Sequence, residues 1–330
     1  MFDPYERNIN YLRVSITDRC NLRCTYCMPK EGLSRIGHDD ILRYEEIHRI
    51  IRIAAKTGIT KVRITGGEPL VRRGVVQFAA SLHTIPELTD ISLTTNGILL
   101  EDFAESLFRA GIRRINISLD SLDAEKYARI TRGGDIRAVL RGIMKVREIG
   151  FSPIKINIVA IKGFNDDEIL DFARLTLEHP YQIRFIELMP LGHAGIENDG
   201  LYLSNAFVRE RIETLGPLEP VNSRGNGNDG PARMYRMKGG MGEIGFISPI
   251  SSHFCRSCNR LRLTADGQLR ACLLSDNETD LKGPLRSDCG DGELMALIEG
   301  AIARKPQHHE MACHESQVKK CMKEMQQIGG

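Results

Sequence analysis

Six of the nine cysteines fall into two triads, Cys20, Cys24 and Cys27 as C-x3-C-x2-C, and Cys255, Cys258 and Cys272 as C-x2-C-x13-C. Thiolates in such groupings hold zinc or iron–sulfur clusters. Three thiolates as closely spaced as the first set can hold three irons of a cubane cluster and leave the fourth iron without a protein ligand, open to chelate a substrate. A zinc site short of its fourth ligand, or buried cysteines with no metal, is the plainer reading of the same spacing. For the second triad a structural zinc completed by Cys289 or His253 competes on nearly equal terms with a cluster, because structural zinc takes four ligands.

The composition favours metal or redox chemistry over disulfides. An odd number of cysteines, in a chain whose first residues Met-Phe-Asp-Pro-Tyr-Glu-Arg form no apolar leader, argues against a secreted disulfide framework. No stretch reaches the roughly 18 apolar residues of a membrane span, so the expected location is the cytoplasm. A formal net charge of +2 is too small for a general nucleic-acid binder, and any bound anion is expected to be small and held in a pocket.

Six strand-like runs must position these residues: 11–16, 61–65, 90–95, 113–119, 154–161 and 182–187. Each precedes a helix-length segment, about 44–57, 74–84, 101–110, 136–149, 166–178 and 204–215, with Ser204 as an N-cap and Gly58, Gly111 and Gly150 as stops. That alternation predicts parallel strands with crossover helices. The composition changes after Gly216 at the Asn/Gly-rich stretch 221–230, which places a boundary between 1–220 and 221–330. Beyond it, 232–237 and 242–250 read as strands, 261–263 and 268–272 as a hairpin turning at Asp266-Gly267, and 291–304 as a helix. The run 315–327, with Val318, Cys321, Met322 and Met325 at helical spacing, reads as a docked amphipathic helix.

Alternation splits each strand into two faces. One is apolar, with Leu12, Val14, Val62, Ile64, Ile115 and Ile117 among its members. The other carries Arg13 and Ser15, Arg63, Thr65 and Gly67, Thr94 and Asn96, Ser118 and Asp120, and Lys155 and Asn157. A closed eight-stranded barrel fills its interior with branched apolar side chains, so these polar residues point to a ligand-filled lumen; an open sheet wetted on its polar face is the bland alternative. The fold expected is α/β, an incomplete (β/α)6 barrel of the TIM type followed by a C-terminal α+β extension. The last strand fits less well, with Arg184 assigned to the helix-facing set and Ile183 and Phe185 to the other. Buried without an anion, Arg13, Arg63 and Lys155 would each need a carboxylate, for which Asp120 is a candidate. Met189 is more often core than ligand contact.

The first triad, with Tyr26 just before its last cysteine, resembles the signature of the radical S-adenosylmethionine superfamily, and Gly66-Gly67-Glu68-Pro69 after the second strand resembles its glycine-rich motif. The stretch Cys255-Arg-Ser-Cys258-Asn-Arg260-Leu261-Arg262, followed by Cys272, resembles the GTP 3',8-cyclase family of molybdenum cofactor biosynthesis. The resemblance runs from Arg13 to Gly329-Gly330. It implies one [4Fe–4S] cluster on Cys20, Cys24 and Cys27 and a second, carried by the extension, on Cys255, Cys258 and Cys272. It implies S-adenosylmethionine contacts at Tyr26, Gly67, Ser118 and Met189, and GTP contacts at Arg13, Arg63, Thr94, Lys155, Arg260, Leu261 and Arg262. It also implies that the first cluster reduces S-adenosylmethionine to a 5'-deoxyadenosyl radical, which takes hydrogen from C3' of GTP so that C3' attacks C8. The Gly329-Gly330 tail, a frayed end by default, is implied to enter the active site.

The same resemblance implies a reductant protein as electron source and a cyclic pyranopterin monophosphate synthase that receives the product, allows a homodimer, and involves neither nucleic acid nor membrane. Cys289, Cys313 and Cys321 match no family ligand and read as free thiols. His308, His309 and His314 read as a solvated tail segment, with adventitious metal binding as the alternative. Two rivals stand beside this reading: a radical enzyme that modifies a peptide or another metabolite with the same clusters, and a zinc-stabilised binding module without catalysis.

Overall fold

A computed structural model describes residues 1–192, 200–221, 230–309, 321 and 323–329. The six expected strands form as β1 (Tyr11–Ser15), β2 (Lys61–Thr65), β3 (Asp90–Thr95), β4 (Arg114–Ser118), β5 (Ile154–Ala160) and β6 (Gln182–Glu187), each parallel to the next. The crossover helices are α1 (Tyr44–Lys56), α2 (Val75–Ser81), α3 (Leu100–Arg109), α4 (Ala124–Thr131), α5 (Ile136–Ile149) and α6 (Ile169–Glu178), with α7 (Asn205–Glu213) after β6. Ser204 caps α7 as expected, its side chain accepting from the Phe207 amide at 3.3 Å. Asp123 caps α4 in the same way, and this helix was not anticipated.

The apolar strand faces and the helix stripes meet in one core. Leu12, Val62, Ile64, Leu93, Ile115, Ile117 and Ile156 are at most 1% exposed, and Ile47, Ile50, Ile51 and Ala54 of α1 pack against them. Burying each such side chain contributes about 1.5–3 kcal/mol before the entropic cost of ordering it. The opposite face is interior, so the wetted open sheet is not what forms: Ser15, Thr65, Ser92, Asn116 and Lys155 are all buried.

The extension builds onto this sheet at both edges. After β7 (Leu218–Pro220), the last strand before residue 221, it forms β8 (Arg233–Met237), β9 (Glu243–Ile247), β10 (Arg260–Leu263), β11 (Gln268–Arg270) and β12 (Glu278–Asp280), then α8 (Lys282–Arg286), α9 (Asp291–Ala303) and the short α10 (Met325–Ile328). β10 lies parallel to β1 and β9 parallel to β6, so eight parallel strands run in the order β10-β1-β2-β3-β4-β5-β6-β9. Antiparallel β11 and β12 continue one side and β8 and β7 the other, and the sheet does not close. The hairpin β10–β11 turns at Asp266-Gly267 as anticipated, whereas β7, β12 and α8 were not anticipated. Most of the run 315–327, with Val318 and Met322, lies outside the described residues, as do Cys313, His314 and Gly330. Of that run, Cys321 and Met325 pack with Ile328 against Leu191 and Leu274 in a small satellite core.

Register corrects the reading of the last strand. Arg184 stands opposite Asn157 and therefore on the interior face, while Ile183 and Phe185, at most 1% exposed, belong to the helix-side core.

Candidate functional site

The loop after β1 carries the first triad to the C-terminal end of the parallel strands. It is held there by backbone bonds from Gly67 to Thr17 (2.7 Å) and from Glu68 to Arg19 (2.8 Å). The double glycine is required by this approach: a Cβ at Gly67 would lie 2.5 Å from the Arg19 carbonyl oxygen. Glu68, fully buried, accepts from the Thr95 hydroxyl (2.8 Å), the Asn96 amide (2.7 Å) and the Leu70 amide (3.0 Å), and burial pushes it up to about 7 against those donors. It thereby ties the ends of β2 and β3 together. Asn96 in turn donates to Asn21 at 2.7 Å and lies 3.8 Å from the Cys20 sulfur.

Burial raises all three thiols of this loop, Cys20 to about 11, and for Cys24 and Cys27 neighbouring thiols and Asp120 add to it. Tyr26 donates its hydroxyl to Asp120 at 2.6 Å, and burial pushes that carboxyl up to about 6. Asp120 also accepts from the Val159 amide at 2.8 Å, so it orients the cysteine loop and does not pair with Arg13, Arg63 or Lys155, as had been considered.

The second triad approaches from the other end of the strands. Cys258 precedes β10, and Cys272 follows β11, which runs back along β10 with Arg270 opposite Arg262. Burial works against ionisation of Cys258, but Arg260 and Lys305 beside it bring it down to about 6; burial raises Cys255. Arg7 donates to the Cys255 carbonyl at 2.9 Å. The loop leading to this triad is fixed by Glu187, fully buried, which accepts from the amides of Asn205 (3.1 Å), Ile250 (3.1 Å) and Ser251 (3.0 Å) and from the Ser251 hydroxyl.

Between the triads, register places Arg262, Arg13 and Arg63 in one row across β10, β1 and β2. Burial, then Arg262 and Arg63, hold Arg13 well below the ordinary guanidinium value, and burial, then Arg260, bring Arg262 down to about 9. Arg184 is brought to about 9 by burial, then by Arg63 and Arg114, and Lys155 to about 5 by burial, then by Arg184, Arg114 and Arg63. The buried Nε of Arg63 and Oγ1 of Thr94 have no hydrogen-bond partner among the described residues. Such a set is poorly satisfied by the protein alone and suits a polyanion with hydroxyls.

One cavity of about 300 Å³ unites these groups. Both cysteine triads line it, together with Tyr26, Gly67, Ser118 and Met189 and with Arg13, Arg63, Thr94, Arg260 and Arg262. Lys155 shares the interior face but is buried beneath the lining, and Leu261 points into the helix-side core with no exposure, leaving only its backbone toward the lumen. Arg184 and Gln326 also line the cavity and were not among the anticipated contacts. The alternation of Gln182 and Arg184 against Ile183 and Phe185 held the signal for the first; nothing local marked the second.

Gly329 occupies a buried position beside Ser15 and Thr65. Its carbonyl accepts from Arg262 at 3.0 Å and Thr65 at 3.4 Å, and a Cβ on it would lie 2.7 Å from that of Ser15.

The donor sets can be tested against the metals considered. Cys289 lies elsewhere, its carbonyl accepting from Arg49 at 2.7 Å on the helix side, so it cannot complete a zinc site with the second triad. His253 is on the cavity wall, its ring 5.4 Å from that of His309, whose Nε2 bonds the Pro249 carbonyl at 2.8 Å; His309 is thus built into the wall and not simply solvated. Among the described residues no three His, Cys, Asp or Glu side chains converge on a single-ion position. Two half-buried three-thiol sets facing one cavity each offer the three thiolates that a cubane cluster takes when its fourth iron has no protein ligand. Cys321 is a buried thiol in the satellite core, 3.2 Å from Asp276.

Residues 14–176 match the family model of the Radical SAM superfamily and residues 181–311 that of Molybdenum Cofactor Synthesis C. A GTP 3',8-cyclase of Moorella thermoacetica is 52% identical over 330 residues, covering all of both chains, and one of Listeria monocytogenes is 48% identical, covering 99% of this chain and 98% of its own. Among solved structures, Streptococcus suis SuiB bound to S-adenosylmethionine superposes with a TM-score of 0.59 at 14% identity, covering 93% of this chain and 77% of that one, a likeness of fold.

Proposed function

The chain belongs to the radical S-adenosylmethionine superfamily and, within it, to the GTP 3',8-cyclases, and on that premise we propose how its residues divide the work. The enzyme converts GTP to (8S)-3',8-cyclo-7,8-dihydroguanosine 5'-triphosphate in molybdenum cofactor biosynthesis. The observation that carries our assignment of its site is the row of Arg262, Arg13 and Arg63 between two thiol triads on one cavity.

Cys20, Cys24 and Cys27 hold a [4Fe–4S] cluster that, when bound, supplies the electron for cleavage of S-adenosylmethionine. Tyr26, Gly67, Ser118 and Met189 form the wall for that cosubstrate. Gly67 offers backbone where any side chain would collide, and Met189 packs against the satellite core. Arg13, Arg63, Arg260 and Arg262 take the nucleotide, with Thr94, the deeper Lys155 and the Leu261 backbone; guanidinium forks match phosphate oxygens, and Lys155, held down to about 5 without ligand, would gain its proton and add a point charge when the polyanion binds. Cys255, Cys258 and Cys272 would hold a second [4Fe–4S] cluster, which would anchor the guanine when bound. The Gly329-Gly330 tail is assigned to the active site, supported by the bond from Arg262, which lines the cavity, to the Gly329 carbonyl. The walls exclude water and fix ribose C3' and guanine C8 within reach of each other.

The same reading includes a division at 220 between a partial barrel and the extension, a cytoplasmic location, a reductant protein, an allowed homodimer, and a cyclic pyranopterin monophosphate synthase as recipient of the product. No helix among the described residues is long and apolar enough to cross a membrane.

Iron, zinc and acid-labile sulfide analysis on oxygen-free protein, with GTP turnover on the same sample, tests the assignment. About eight irons per chain, two clusters of four, is the expected result. Serine at Cys255, Cys258 and Cys272 together is expected to leave the first cluster and abolish cyclisation. Zinc with little sulfide, or cyclisation by the triple variant, would make the second triad structural.

A further inference from the structure

We propose that Lys305 is the counter-ion and positioning residue of the second thiol centre, opposing the charge of Cys258 and Cys272 while gripping the backbone that carries them. This rests on reading the second triad as a cluster site. Lys305 follows α9 and is 3% exposed. Its ammonium donates to the carbonyl of Arg260 at 2.8 Å and to that of Ala271. Ala271 adjoins Cys272 and Arg260 is two residues past Cys258, so one side chain bridges the segments that present both sulfurs.

The charge argument is independent of this bridge. A buried ammonium satisfied only by neutral carbonyls retains its full desolvation cost unless an anion stands close. Among the described residues no carboxylate pairs with Lys305, and burial lowers its ammonium below the ordinary lysine value; thiolates at Cys258 and Cys272 would oppose that lowering, while Arg7 and Arg260 add to it. Arg7 differs, since its guanidinium is neutralised by Asp3 at 2.5 Å. Arg7 serves instead to hold Lys305 in place, donating to the carbonyls of Pro306 (2.8 Å) and Gln307 (3.1 Å). Three thiolates around an iron–sulfur cluster leave a net negative charge that grows on reduction, and Lys305 supplies the fixed positive charge next to it.

The test uses full-length, oxygen-free protein with Lys305→Gln, Lys305→Met and Lys305→Arg, each measured for iron and sulfide and by reductive titration followed by electron paramagnetic resonance. Loss of a fixed cation disfavours the more negative reduced state. The Gln variant is therefore expected to lower the midpoint of the second cluster while leaving that of the first unmoved, and the Arg variant to stay near wild type. Selective loss of the second cluster in the neutral variants but not in Arg also supports the inference. A Gln variant with full iron and an unshifted second midpoint overturns it, as does loss of the second cluster in all three variants, which would assign Lys305 to packing. Wild-type protein without a second cluster overturns the cluster reading and this inference together.

Discussion

Arg262, Arg13 and Arg63 are like charges at neighbouring strand positions, an arrangement that costs stability until an anion arrives. Replacing Arg63 by Met is therefore expected to leave the melting temperature of ligand-free protein unchanged or higher, while the stabilisation conferred by GTP shrinks. A lowered ligand-free melting temperature with an intact GTP shift would place Arg63 in the scaffold instead. Arg262→Ala is expected to weaken GTP about tenfold or more, the loss of roughly 1.5–3 kcal/mol from a charged contact, with S-adenosylmethionine little affected; equilibrium binding of the two ligands decides it. Single-strand alternation was enough to find Arg13, Arg63, Thr94, Ser118 and Lys155, because a strand's period of two is local. For Arg184 the alternation was present but its face was assigned the wrong way round, because which face a strand turns inward is fixed by register against its neighbour, here Asn157 of β5.

At the scale of elements, the loops after the strands are tied to one another, the Gly67–Glu68 backbone to the loop after β1 and the Glu68 carboxylate to the end of β3. Gly67→Ala should drive the Thr17–Arg19 backbone away and lose the first cluster while the second persists; full iron in that variant would refute the packing argument. On the far side, burial opposes charge on Glu46, but Arg286 and Arg43 outweigh it and hold the carboxyl down to about 2, joining α1 to α8. A carboxyl depressed in the folded state stabilises it above the ordinary value, and that contribution is lost as pH falls toward about 2. Glu46→Gln should therefore lower stability near pH 7 by about 1.5–3 kcal/mol and flatten the acid limb, as denaturant midpoints across pH would record. The long helices and buried strands were legible because their periodicity extends over two or more turns or a full strand. Helix α4, and the three-residue strands β7 and β12, were not, since such short elements are specified by caps and partners distant in sequence.

For the molecule as a whole, the extension supplies a parallel strand to each edge of the six-stranded sheet. A fragment ending at 220 would expose the edges of β1 and β6, and it is expected to associate and bind iron poorly; a monomeric fragment with a sharp thermal transition would contradict this. The sequence suggested six βα units and a separate extension because it shows what repeats, and the pairing of β10 with β1 involves no repeat. That pairing also sets a timetable. Tyr11 lies opposite Arg260, so the first strand leaves the ribosome with its outer partner still about 250 residues away. At roughly 5–20 residues per second that is an interval on the order of 12–50 seconds. During it the thiols of Cys20, Cys24 and Cys27 are present on a nascent chain whose arginine row is unfinished, so the ends of the cavity are synthesised at different times. Iron delivered early would meet only the first triad, and the nucleotide chamber exists only once the final third of the chain has been made.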